Sequence, residues 1–173
     1  MTTKVVPNLV RGYKLGTHTT KLTAREISLY ALGVGSNIDP LNTSELQFTY
    51  EAHPNFTIIP SITSAYSIYG YEQIQQCPGM PKYDPLALLH GEQIIKIAKP
   101  LKVGQTLLTS NKIIDVADKK SGALVTIESV TKVGDETVST NHAKLFIRGI
   151  GGFEDAGILP SVNFPKQEKA EKD

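Results

Sequence analysis

The residues best equipped for chemistry are His90 and Glu92, two apart in the run His90-Gly91-Glu92-Gln93. An imidazole and a carboxylate in reach of one another can exchange a proton as general base and general acid. On an extended strand, residues two apart share a face, and Gly91 lets another backbone come close. A plainer role fits the same pair better, that of polar groups hydrogen-bonded at a helix end or an interface. His18, His53 and His142 lie far apart along the chain, and His142 reads as a satisfied sheet residue. The single cysteine, Cys77, excludes an internal disulfide and a thiolate-built zinc site. Nucleophile elbow, phosphate loop, dinucleotide fingerprint and metalloprotease helix motif are all missing. No metal or cofactor is expected.

Composition narrows the class. With 173 residues, 40% of them hydrophobic and 20% charged, the chain can bury a real core. A net charge of +1 and scattered basic residues give no field that would recruit nucleic acid. No apolar stretch approaches the roughly 20 residues of a membrane span. Met1 to Arg25 holds no acidic residue but carries Lys4, Arg11, Lys14, Lys21 and Arg25. That is faintly like a mitochondrial presequence, although Pro7, Gly12 and Gly16 interrupt any amphipathic helix, and a surface arm is the expectation. The terminal Lys-Ala-Glu-Lys-Asp is not a peroxisomal address of the Ser-Lys-Leu type.

Two helices and a meander should position these groups. Thr23-Ala24-Arg25-Glu26 has the form of a capping box, followed by Ile27, Tyr30, Ala31 and Val34 at helical spacing. A strand is expected near Phe48. After Pro60, Ser61 can cap a longer helix reaching Tyr71, with Ile62, Ala65, Tyr66 and Tyr69 on one stripe. Gln73 to Asp84, with Pro78, Gly79 and Pro81, reads as a loop. From Leu88 the period changes to two: 90–99, 105–117, 123–133 and 137–148 are β-rich runs with short Gly/Asp connections, hence antiparallel. Val125, Ile127, Ser129, Thr131 and Val133 should share the packed face of the third run. A helix against one curved antiparallel sheet is an α+β solution.

Five segments in order resemble a known family. Tyr30-Ala-Leu-Gly-Val-Gly35, Leu46-Gln-Phe-Thr-Tyr-Glu51, Leu88-Leu-His-Gly-Glu-Gln93 with Lys99-Pro-Leu101 behind it, Ser121-Gly-Ala123 and Gly149-Ile-Gly-Gly-Phe153 are similar to the hydratase 2 (MaoC-like) unit of peroxisomal multifunctional β-oxidation enzymes. The resemblance runs from about Lys21 to Phe153. It implies a hot-dog domain over residues 21–153, a long central helix wrapped by a curved antiparallel sheet, with an arm at 1–20 and a linker or tail at 154–173.

The full unit of that family pairs two hot dogs and adds water to trans-2-enoyl-CoA, giving (3R)-hydroxyacyl-CoA, or runs in reverse. Its chemistry belongs to the second domain, in a motif Tyr-x-Leu-x-Gly-Asp-x-Asn-Pro-x-His; the first domain is a degenerate copy whose helix leaves room for the acyl chain. Here Tyr30, Leu32 and Asn37 match the motif, but Gly35 replaces the aspartate and Pro40 the histidine. No catalytic residue carries over. The resemblance therefore implies an acyl-binding, catalytically degenerate half, located in peroxisome or mitochondrion. Fatty acyl-CoA would lie near Phe56, Ile58, Ile62 and Tyr66, unless those side chains only fill the core. A second hot-dog domain, or a larger complex, would cover the strand at His90, Gly91, Glu92 and Gln93. The competing expectations are a purely structural subunit of a large assembly and, lowest, a homodimeric thioesterase or hydratase using His90 and Glu92.

Overall fold

Alternation along the third run decides the architecture. In the computed structural model, which describes residues 4–39 and 41–154, this run is strand β4 (Gly122–Val133). It lies between β3 (Thr106–Asp118) and β5 (Glu136–Arg148), with β2 (Leu88–Ile97) outside β5 and β1 (Lys14–Lys21) outside β3. Every neighbouring pair in the order β1-β3-β4-β5-β2 is antiparallel. Val125, Ile127, Ser129 and Thr131 are buried on one face as the alternation requires, and Lys132 is exposed on the other.

Strand β1 corrects the expectation of a surface arm. Its burial alternates weakly, with Leu15 alone fully enclosed, and its partner β3 supplies the whole ladder from Lys112 to Thr106. Ahead of it stands a four-residue helix, α1 (Pro7–Val10), which begins on proline.

Helix α2 (Ala24–Gly33) starts as its capping box dictates: the Thr23 hydroxyl accepts from the Glu26 N–H at 3.2 Å. Ile27 and Ala31 face the core. The strand expected near Phe48 is instead a 3-10 turn, Thr43–Glu45, capped by Asn42 and running into helix α3 (Leu46–Thr49).

The central helix is shorter than expected. Helix α4 covers Ile62–Ser67 and gives way to a 3-10 stretch, Tyr71–Gln76. Its own hydroxyls bond backward, Ser64 to the Ser61 carbonyl and Ser67 to the Ser64 carbonyl, both at 2.7 Å. Sheet side chains then take the carbonyls that a longer helix would need. The Asn111 amide donates to the Ser67 carbonyl at 3.0 Å and to that of Tyr69, and Gly70, at φ +90°, turns the chain away.

Two apolar clusters result, with a polar belt between them on the inner face. Leu22, Ile27, Ile58, Ile62, Tyr66 and Leu107 form one, under α2 and α4. The larger packs Val10, Leu15, Ile74, Cys77 and Met80 on Ile113, Val125, Ile127, Leu145 and Ile147. Thr109, Asn111, Ser129, Thr131 and Asn141, all buried, make the belt, and Thr109 and Thr131 hydrogen-bond across the strands at 3.0 Å.

Burial leaves a titration signature. The Tyr66 phenol is pushed up to about 12 by desolvation, helped by the charges of Glu26 and Tyr69, and Tyr83 is pushed up to about 12 by burial. A phenol with a raised folded-state pKa favours the fold while neutral, so its contribution is complete below pH ~10 and lost as pH climbs toward 12. Stability should therefore fall between pH 10 and 12, and Tyr66→Phe should blunt that fall; a midpoint flat to pH 12 in the parent protein contradicts this.

Candidate functional site

Sheet register settles the relation of His90 to Glu92. Strand β2 pairs His90 with Leu145 but Glu92 with Lys144, so Gly91 is the extra residue of a bulge. Opposed residues in a ladder share a face. His90 therefore lies on the inner face with the buried Leu145, and Glu92 lies on the outer face with Lys144. The two are not brought together as a proton-transfer pair.

Each has a different partner. The Glu92 carboxylate meets the Lys144 ammonium at 2.6 Å. His90 Nε2 is 3.1 Å from Gln93 Oε1, and the Gln93 amide donates to Asn141 Oδ1 at 3.3 Å. Asn141 in turn reaches the Thr63 carbonyl and hydroxyl at 3.5 Å. A polar chain thus runs from the edge of the sheet to the underside of α4. A Cβ at Gly91 would meet the Lys144 carbonyl oxygen at 3.4 Å, an ordinary van der Waals contact, so the fold of this chain does not itself require glycine there.

Strand β2 is an outer strand, and His90, Gly91 and Glu92 are exposed while Gln93 is half-buried. Its free edge has no strand beside it among the described residues. The other histidines have ordinary surroundings: His142 lies 3.5 Å from Glu128 across the ladder, His18 stacks on Tyr69 at 3.9 Å, and His53 Nδ1 accepts from the Asn55 N–H. Burial raises the Cys77 thiol pKa, which suppresses the reactive thiolate. No group of three His, Cys, Asp or Glu that could hold a metal exists among the described residues, and none of their helices is long and apolar enough to cross a membrane.

The loop after α2 is where the family's acid–base motif would fall. Gly35 has φ +95°, a left-handed conformation that an aspartate adopts only at a cost, and a Cβ there would lie 3.3 Å from Ile38 Cδ1. Asn37 is also left-handed, at φ +60°, its N–H held by the Glu45 carboxylate. Pro40 lies outside the described residues. Among the residues expected to hold an acyl chain, Ile58, Ile62 and Tyr66 are buried together with Leu22, Ile27 and Leu107, and Phe56 packs partly buried against them. Sequence reasoning missed Asn141 and Asn111. The only local signal was a polar residue at an inward position of a strand.

Residues 21–149 match the model of the MFE-2 hydratase 2 N-terminal domain. The chain belongs to that family. It is 29% identical over 167 residues to a peroxisomal enoyl-CoA hydratase 2 of Arabidopsis thaliana, spanning 93% of this chain but 54% of that relative. The crystal structure of a MaoC-like dehydratase from Phytophthora capsici superposes with a TM-score of 0.70 at 31% identity, covering 92% of this chain and 55% of the other. The likeness extends at the level of fold alone to the 3R-hydroxyacyl-ACP dehydratase complex HadBC of Mycobacterium tuberculosis, with a TM-score of 0.60 at 13% identity, over 79% of this chain and 96% of that one. The hot-dog class is thereby shown, with its central helix cut short.

Proposed function

We propose that this chain is the acyl-binding, catalytically degenerate half of a (3R)-hydroxyacyl-CoA dehydratase, or 2-enoyl-CoA hydratase, working with a second hot-dog domain that supplies the acid–base pair. The observation that carries the reading is Gly35, with no side chain and a left-handed backbone, in the place of the motif's aspartate. Since the chain spans 54% of its plant relative, a second domain of similar size has room in proteins of this type. The free edge of β2 supports a place for it. An open strand edge is a template for another chain, and Gly91 with His90, Glu92 and Gln93 lies along it. The relatives' peroxisomal names favour the peroxisome as location.

In this reading a fatty acyl chain lies beside α4, along Phe56, Ile58, Ile62 and Tyr66, where each buried methylene contributes about 0.8 kcal/mol. Long-chain acyl-CoA should then raise the thermal midpoint of the protein, and Ile62→Trp should abolish that protection. Unchanged protection in a folded Ile62→Trp variant would refute the placement. A second reading, a structural subunit that binds no acyl chain, draws on the same four side chains packing into one core with Leu22 and Ile27. It predicts no protection in either protein.

A further inference from the structure

The bulge at Gly91 does more than turn Glu92 outward. Residues three apart on a regular strand face opposite ways, yet His90 and Gln93 both lie on the inner face, opposite the buried Leu145 and Ala143. The extra residue is what brings them together, with His90 Nε2 standing 3.1 Å from Gln93 Oε1. From Gln93 the hydrogen bonds lead on to Asn141 at 3.3 Å, and from Asn141 to the Thr63 carbonyl and hydroxyl under α4 at 3.5 Å.

The direction of this series is set at its buried end. A backbone carbonyl can only accept, so the Asn141 amide nitrogen is the atom that faces Thr63. The reverse orientation would set two acceptor oxygens against each other, and Asn141 is fully buried, which makes such a mismatch costly. Its Oδ1 then faces Gln93 and needs a donor, which fixes the Gln93 amide nitrogen toward Asn141 and Oε1 toward His90. An amide oxygen also only accepts. The imidazole nitrogen opposite it must carry the proton.

We infer that His90 is held in the form protonated at Nε2 by a one-way series of hydrogen bonds anchored on Thr63, with Gln93 and Asn141 as its positioning residues. A neutral imidazole has a single N–H, so Nδ1 then carries a lone pair. His90 is exposed on the outer strand, and that lone pair makes it a hydrogen-bond acceptor there. The group it fits is an N–H or O–H donor, not a carboxylate or a carbonyl. That this donor belongs to a second hot-dog domain rests on the reading proposed above. The proton on Nε2 does not rest on it and is measurable in this chain alone.

Nitrogen-15 NMR of the full chain, observing the two ring nitrogens of His90 while the imidazole is neutral, tests the inference, and His90→Ala identifies the signals. The Nε2–H form should predominate over Nδ1–H by more than it does in a histidine free in water. Gln93→Leu removes the acceptor and should lower that ratio about fivefold, the factor that one ordinary hydrogen bond supplies. Asn141→Leu should lower it too, although Asn141 bonds to Gln93 and not to the imidazole, because the Gln93 amide is then free to turn. Glu92→Gln, on the other face of the sheet, should leave it unchanged. A parent ratio equal to that of free histidine overturns the inference, as does a ratio that Gln93→Leu leaves unaltered. A folded Asn141→Leu protein with the parent ratio overturns the anchoring on Thr63; if that variant does not fold, Gln93→Leu decides alone. A failure to find any second domain on β2 changes none of these ratios.

Discussion

Replacing Gly70 by alanine is expected to destabilise the protein by about 3–5 kcal/mol, a large loss for a single added methyl group. Two costs coincide. Gly70 sits at φ +90°, where an L side chain is strained, and its Cβ would fall 2.5 Å from the Leu15 carbonyl oxygen. That oxygen belongs to the backbone of β1, so relief requires the strand to shift against the junction between α4 and the 3-10 stretch. The same junction carries the Asn111 hydrogen bonds that end the helix. Gly104→Ala is the control, at φ +85° with nothing within 4 Å, and should cost no more than about 1–2 kcal/mol. Chemical denaturation of both variants measures the difference; equal losses would mean that the contact with β1 is not what excludes the methyl group.

Strands β3, β4 and β5 were legible because each buries one face more than the other, which writes a period of two into the residues, while β2 was marked by its run of β-forming residues. Strand β1 was not legible. An outer strand with Leu15 as its one fully enclosed side chain, three threonines and Gly16 carries almost no such period, and it exists because β3 offers an edge to pair with. The stripe of Ile62 and Tyr66 marked α4 correctly, but nothing near Ser67 in sequence says that the helix must stop there. The groups that take its carbonyls, Asn111 and Ser129, come from strands more than 40 residues away. The site shows the same division. Locally, His90 and Glu92 have the spacing of neighbours on one face, and only the register against Leu145 and Lys144 shows that a bulge separates them. Gly35, by contrast, enters through the resemblance to the family's motif, and the structure adds that its backbone is left-handed.

Hydration of enoyl-CoA is the second large effect. General acid–base help is worth about 10²–10⁴-fold per group, and in the proposed reading Gly35 and Pro40 stand at the two positions where the family's motif would supply it. The alternative pair is divided by the sheet: Glu92 is engaged with Lys144 outside, and His90 with Gln93 inside. The most direct measurement is therefore the rate of crotonyl-CoA hydration, and of a longer enoyl-CoA, by the purified chain alone. A rate indistinguishable from the enzyme-free blank is the predicted result. A rate above the blank that disappears in His90→Ala or Glu92→Gln would contradict the account and return those two residues to the centre of the chemistry.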